Sequence, residues 1–167
     1  MDNPVNIIID GKNYQVEQGR NLVEAAKENG IYIPTLCHFH NQKHALGTCR
    51  ICTVNVNGKF TTGCSTKAYE GMQIEINTPE LTNTRKALIE MLYAEGNHFC
   101  PSCEKSGNCD LQNLGYDMGI SISRFPHVFG DKLVDFNPKR MIMESNRCIL
   151  CQRCVEEIKT KDGKNVF

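Results

Sequence analysis

The sequence predicts an α+β protein, a small mixed sheet packed on one helix, followed by cysteine-bearing segments with less regular structure. Three observations carry this. Asp10-Gly11 and Asn57-Gly58 each separate two apolar-rich runs, and such pairs form two-residue hairpin turns because both positions favour positive φ. A capped helical segment lies between the two hairpins. Finally, ten cysteines fall in three groups along 167 residues, far more than packing requires in a chain that can bury roughly two-thirds of its unfolded surface.

In the first hairpin, the apolar run from Val5 to Ile9 faces an alternating run from Lys12 to Val16. Asn21 can cap a helix, with Glu24 as its capping-box partner. Leu22, Val23, Ala25 and Ala26 supply the buried side, and Gly30 stands where a C-terminal cap is needed. The second hairpin carries Ile51, Val54 and Val56 before its turn and Phe60 after it. Met72, Ile74 and Ile76 alternate with Gln73 and Glu75, giving a further strand. Thr78 caps a second helix and Pro79 takes its first position. Leu81, Leu88, Met91 and Leu92 recur there at helical spacing and read as core. Asp110 to Met118 predicts a short helix. The stretch from Ile120 to Arg147, broken by Pro126 and Pro138, predicts a connector with one short strand pair. The expected domains are 1–78, 79–119, a connector over 120–137, and 138–167.

Lysine plus arginine number 19, and so do aspartate plus glutamate, which removes the broad basic field of a non-specific nucleic-acid binder. The N-terminus has no basic flank or long apolar run, so neither a secretory signal nor a transmembrane segment is expected. That places the chain in the cytoplasm, where thiols stay reduced and a high cysteine count indicates metal instead of disulfides.

The first group, Cys37, Cys49, Cys52 and Cys64, is spaced C-x11-C-x2-C-x11-C. Four thiolates are what a [2Fe–2S] cluster requires. Gly47 and Gly63 are expected to let backbone N–H groups approach the sulfurs. The second group, His98, Cys100, Cys103 and Cys109, offers one imidazole and three thiolates for a [4Fe–4S] cluster. A neutral imidazole in place of a thiolate should raise its potential. The third group, Cys148, Cys151 and Cys154, is the front half of a ferredoxin-type run. No cysteine follows Cys154, so this set makes only a partial [4Fe–4S] site unless a fourth ligand is supplied. Zinc is the main competitor, which would make the chain a structural interaction module. It suits the second group better than the first, where two cysteines stand alone at long spacing. A nucleophilic cysteine fits less well, since such sites use one cysteine with a distant base. No residue reads as a catalytic acid, base or nucleophile, and no G-x-G-x-x-G string suggests a Rossmann-type nucleotide site. His38, His40, His44 and His127 have no assigned role, although His38 adjoins Cys37.

The string Gly47-Thr48-Cys49-Arg50-Ile51-Cys52 resembles the cluster loop of the large iron–sulfur subunit of bacterial complex I, of iron-only hydrogenases and of diaphorase subunits. The string from Glu95 through Cys109, with Leu111-Gln112, is most similar to the gamma subunits of NAD-reducing [NiFe] hydrogenase diaphorases. Ser123-Arg124-Phe125-Pro126 and the run from Arg147 to Val155 extend the likeness over essentially the whole chain. The resemblance implies a β-grasp [2Fe–2S] ferredoxin domain, then a His(Cys)3 module, then a ferredoxin-like [4Fe–4S] module. It implies that Cys37, Cys49, Cys52 and Cys64 hold the first cluster and that Cys100, Cys103 and Cys109 serve the second. In much of the wider family the histidine stands four residues before the first cysteine; Gly96 is there in this chain, and His98 takes the part. The implied role is electron transfer between an FMN/NAD-binding diaphorase partner and the hydrogenase small and large subunits. The alternative within the family is an iron–sulfur subunit of a complex I-type NADH:quinone oxidoreductase.

Overall fold

The computed structural model describes residues 3–39, 45–128, 130, 132–137, 142–159 and 161–164. His40, His44 and Pro138 lie outside them. The chain divides into two compact units: Met1–Arg85 with Cys151–Phe167, and Lys86–Leu150.

The first unit is a five-stranded sheet with one helix packed on it. Its strands are β1 (Pro4–Ile9), β2 (Lys12–Glu17), β3 (Thr53–Val56), β4 (Lys59–Thr62) and β5 (Met72–Glu75), in the order β2-β1-β5-β3-β4. β1 and β5 run parallel and every other pair is antiparallel. Both hairpin turns form as the Xaa-Gly pairs predict, with φ of 45° and 79° at Asp10 and Gly11 and 50° and 84° at Asn57 and Gly58. Asp10 does more than turn the chain. Its carboxylate accepts the Ile76 N–H at 2.8 Å, which fixes the end of β5 to the first hairpin.

Helix α1 (Leu22–Glu28) starts where the sequence places it, with the Asn21 side chain accepting the Glu24 N–H at 3.0 Å. The reciprocal half of the capping box is not made; the Glu24 carboxylate instead binds His38. The helix ends in a Schellman arrangement, with Ile31 N–H on the Ala26 carbonyl, Gly30 N–H on that of Lys27, and Gly30 at φ 73°. Leu22, Val23, Ala25 and Ala26 enter one core with Val5, Ile7, Ile9, Val54, Met72, Ile74 and Ile76.

Helix α2 (Pro79–Glu95) is capped by Thr78 as expected, its hydroxyl accepting the Leu81 N–H at 3.2 Å. Its buried face is different from the expected one. Leu81, Arg85, Ile89, Glu90 and Ala94 are buried, Leu88 and Leu92 only partly so, and Met91 is exposed. The apolar count misjudged the phase because two of the buried positions are charged. Arg85 is 2% exposed and donates to the carbonyls of Ile76 at 2.9 Å and Thr53 at 2.8 Å, so one guanidinium ties the helix to two strand ends. Burial holds its pKa below the usual arginine value.

In the second unit, Glu90 pairs with Arg124 at 2.6 Å, and the Ser123 hydroxyl donates to the Glu90 carbonyl at 3.1 Å. Helix α3 (Asp110–Asp117) matches the predicted one, and the connector holds the strand pair β6 (Val134–Asp135) and β7 (Met143–Glu144). A short helix of the first unit, α4 (Arg153–Glu157), carries Cys154.

Replacing Arg85 with Leu leaves two carbonyls without their donors. The iron-free chain is expected to lose about 2–4 kcal/mol of stability, read as a lower urea midpoint at unchanged m-value. An unchanged midpoint would show that the guanidinium does not hold the helix to the sheet.

Candidate metal centres

The first four cysteines converge because three separate connections bring them together. Cys37 lies on the segment after α1, Cys49 and Cys52 on the turn leading into β3, and Cys64 just after β4. All four are buried, Cys49 at 8% exposure and the others at 1%. Gly47 at φ 62° and Arg50 at φ 61° bend the Cys49–Cys52 turn through left-handed conformations. The Arg50 carbonyl then accepts both the N–H and the hydroxyl of Thr53, locking the turn onto β3.

The sulfurs receive a dense set of donors. Cys37 Sγ accepts from the thiols of Cys49 and Cys64, the Cys49 N–H and the Thr48 hydroxyl. Cys49 Sγ accepts from the N–H groups of Ile51, Cys37 and Leu36, and Cys52 Sγ from the Cys64 thiol and N–H. Donation by the neighbouring thiols therefore pulls the Cys37 pKa far below its ordinary value and that of Cys52 down to about 7. Cys49 and Cys64, which give their protons to those neighbours and are themselves buried, move upward. Four thiols this close cannot all ionise without a cation among them. Gly63 donates its own N–H to the Cys52 carbonyl at 2.9 Å, and a Cβ there would stand 3.2 Å from that oxygen, so Gly63 permits a close backbone approach beside Cys64.

Two buried groups border this set. Arg85 lies close enough to Cys52 to interact with its charge. His38 is 9% exposed, with Nε2 2.9 Å from Glu24 Oε1, so it is a paired residue of the first loop. Sequence reading places His38 beside Cys37 without a role and gives Arg85 none: spacing assigns Glu24 to the helix cap, and a buried arginine leaves no mark in an apolar pattern.

The second group sits in one loop. Cys100 begins a 3-10 turn (Cys100–Ser102), Cys103 ends it, and Cys109 precedes α3. The three cysteines are partly exposed. Gln112 organises the loop from α3: it is buried, accepts the Gly107 N–H at 2.7 Å, and donates to Ser106 at 3.2 Å and to Tyr116 at 3.3 Å. Tyr93 donates its hydroxyl to the Leu111 carbonyl at 3.0 Å. Burial first, and then the thiols of Cys100 and Cys109, push its pKa up to about 12, so it stays a donor.

His98 is half-buried, edge-on to the Tyr93 ring at 5.8 Å between centroids, and one ring nitrogen meets the Leu92 carbonyl. Burial lowers its pKa, which favours the neutral imidazole. A metal-bound histidine needs this arrangement, with one N–H held by a backbone carbonyl and the other nitrogen left as a base. A cleft of about 600 Å³ opens beside it, lined in part by Tyr93, His98, Cys100 and Tyr116.

In the third group, Cys148 belongs to the unit ending at Leu150, while Cys151 and Cys154 belong to the other. Cys148 and Cys154 are exposed. The Leu150 N–H contacts Cys148 Sγ at 3.4 Å, and Leu150 and Gln152 both take left-handed φ, 54° and 56°.

The donor chemistry of the first two sets fits iron–sulfur clusters: thiolates in a buried pocket rich in N–H groups, and three thiolates beside a neutral imidazole. Among the described residues, no three His, Cys, Asp or Glu side chains close around one ion position. None of the helices among the described residues is long and apolar enough to cross a membrane.

Residues 2–79 match the 2Fe-2S iron-sulfur cluster binding domain, and residues 85–124 the NADH-ubiquinone oxidoreductase-G iron-sulfur binding region. The chain is 51% identical to the HoxS gamma chain of the NAD-reducing hydrogenase of Cupriavidus necator, over 98% of this chain and 70% of that one. It is 38% identical to the second G-type subunit of the NADH-quinone oxidoreductase of Rhizobium meliloti, over 90% of this chain but 18% of that one. A chain in the crystal structure of the NAD+-reducing [NiFe]-hydrogenase in the H2-reduced state superposes with a TM-score of 0.86 at 39% identity, covering 91% of this chain and 64% of that one. The chain belongs to the gamma-subunit family of the NAD-reducing hydrogenases, with the G-type subunits of NADH–quinone oxidoreductases as relatives.

Proposed function

We propose that this chain is the iron–sulfur electron-transfer subunit of an NAD-reducing hydrogenase, linking an FMN/NAD-binding diaphorase subunit to the hydrogenase small and large subunits. The carrying observation is the first cysteine set: four buried thiols whose sulfurs accept backbone N–H groups from Leu36, Cys37, Cys49, Ile51 and Cys64. When bound, iron–sulfur clusters supply reversible one-electron redox chemistry. Everything else is the work of the chain. Cys37, Cys49, Cys52 and Cys64 hold a [2Fe–2S] cluster in the 1–78 domain, and the N–H donors disperse the charge on the sulfurs. His98, Cys100, Cys103 and Cys109 hold a [4Fe–4S] cluster in the 79–119 module. There the Leu92 carbonyl fixes the His98 tautomer, and Gln112 holds the loop to α3. Cys148, Cys151 and Cys154 form a partial [4Fe–4S] site, which would hold a second such cluster if a fourth ligand is supplied.

Zinc suits the first set poorly, because Cys37 and Cys64 each stand alone at long spacing from the Cys49–Cys52 pair. Anaerobic purification is expected to give a coloured protein with iron and acid-labile sulfide in near-equal amounts. A colourless protein holding stoichiometric zinc and no sulfide would sink the proposal.

Replacing His98 with Cys exchanges a neutral ligand for an anionic one. The variant is expected to keep its second cluster with a midpoint lower by on the order of 100 mV. Redox titration followed by EPR measures this, and an unchanged spectrum and midpoint would count against His98 as a ligand.

A further inference from the structure

A side chain at position 96 has no room. A Cβ on Gly96 would stand 2.6 Å from His98 Nε2 and 3.1 Å from its Cδ2, with the Asn146 carbonyl oxygen 2.7 Å away. The imidazole lies at the end of a side chain and can swing aside. The carbonyl belongs to the backbone and is held in place, because it accepts the Asn97 N–H at 2.8 Å. Residues Ser145–Arg147 form a 3-10 turn, and Arg147 pairs with the second cysteine loop and with the start of its own turn. Its guanidinium reaches Glu104, the residue after Cys103, at 3.1 Å, and Glu144 at 3.0 Å. The His98 ring therefore lies in a slot. The bare Gly96 backbone forms one wall, the Tyr93 ring meets it edge-on, and the Leu92 carbonyl holds one nitrogen.

We infer that Gly96 and the 145–147 turn are the positioning elements that deliver His98 to the second cluster. Gly96 supplies the vacant volume in which the imidazole rests. The Asn146 carbonyl, bonded to Asn97, fixes the backbone from which His98 projects. This rests on the reading of His98 as a ligand. Without Gly96, the ring must leave its slot and the turn must also give way, which strains or breaks the Asn97–Asn146 bond.

Pulsed EPR on the reduced, iron-loaded full chain tests it through the nitrogen coupling of a bound imidazole, compared in the unsubstituted chain, His98→Ala and Gly96→Ala. The expected result is that Gly96→Ala loses the coupling and shifts the second cluster's midpoint in the same direction as His98→Ala. The [2Fe–2S] signal should be unchanged in all three. If His98→Ala keeps the coupling, the ligand reading fails. If His98→Ala loses it while Gly96→Ala keeps both coupling and midpoint, the positioning role is overturned. Should Gly96→Ala hold no second cluster at all, thermal unfolding of the iron-free chain decides. The loss in Tm caused by Gly96→Ala should be smaller in a His98→Ala background, where the ring contact is already gone. Equal losses in the two backgrounds would overturn the inference.

Discussion

Four sulfur atoms confined in one buried pocket dominate the first unit. Thiols in water titrate independently, but these are coupled, so that ionisation of one raises the cost of ionising the others. Such a set is electrostatically incomplete. Charging all four without a cation is prohibitively costly in a poorly solvated site, while leaving all four neutral wastes the N–H groups aimed at them. The sheet creates this situation. β3 and β4 carry the flanks of the Cys49–Cys52 turn and of Cys64, and the segment after α1 brings Cys37 in from the far end of the core. The hairpin register therefore also sets sulfur geometry, because sliding Thr53 relative to Thr62 by one residue would separate Cys52 from Cys64.

The second loop solves a similar problem with different means. Its cysteines are partly exposed and lie on a loop outside the strands found among the described residues. Polar staples do the holding instead: Gln112 with three partners, Tyr93 on the Leu111 carbonyl, and the Asn146 carbonyl on Asn97. Directional bonds suit a loop with few apolar side chains to bury. They also leave a cleft beside His98 and Cys100.

The sequence is most legible where local chemistry has a single solution. Asp10-Gly11 and Asn57-Gly58 require left-handed backbone, Asn21 and Thr78 cap helices, and the cysteine spacing separates the sets. It is least legible where buried polar groups act through distant partners. Arg85 looks like an ordinary surface residue of a helix until two strand-end carbonyls are found on it, and its burial is why the expected face with Met91 was misjudged. Glu24 fitted a capping box by spacing, but His38, 14 residues on, bound it more usefully. Gln112 appeared only as part of a resemblance, because the value of a side-chain amide depends on the loop folded over it.

Arg85 joins the stability of the first unit to the chemistry it houses. A buried guanidinium costs desolvation, and the two carbonyls it binds offset part of that cost. Negative charge nearby offsets a further part, since Cys52 and Asp10 both interact with it favourably, while burial still holds its pKa below the usual value. As thiolate character at Cys52 grows, the attraction to Arg85 grows with it. The same contact that fastens α2 to the sheet thus becomes stronger when the cysteine set is ionised. Fold and site are coupled through one cation, and ligation of the thiolates should tighten the unit beyond the metal–sulfur bonds themselves.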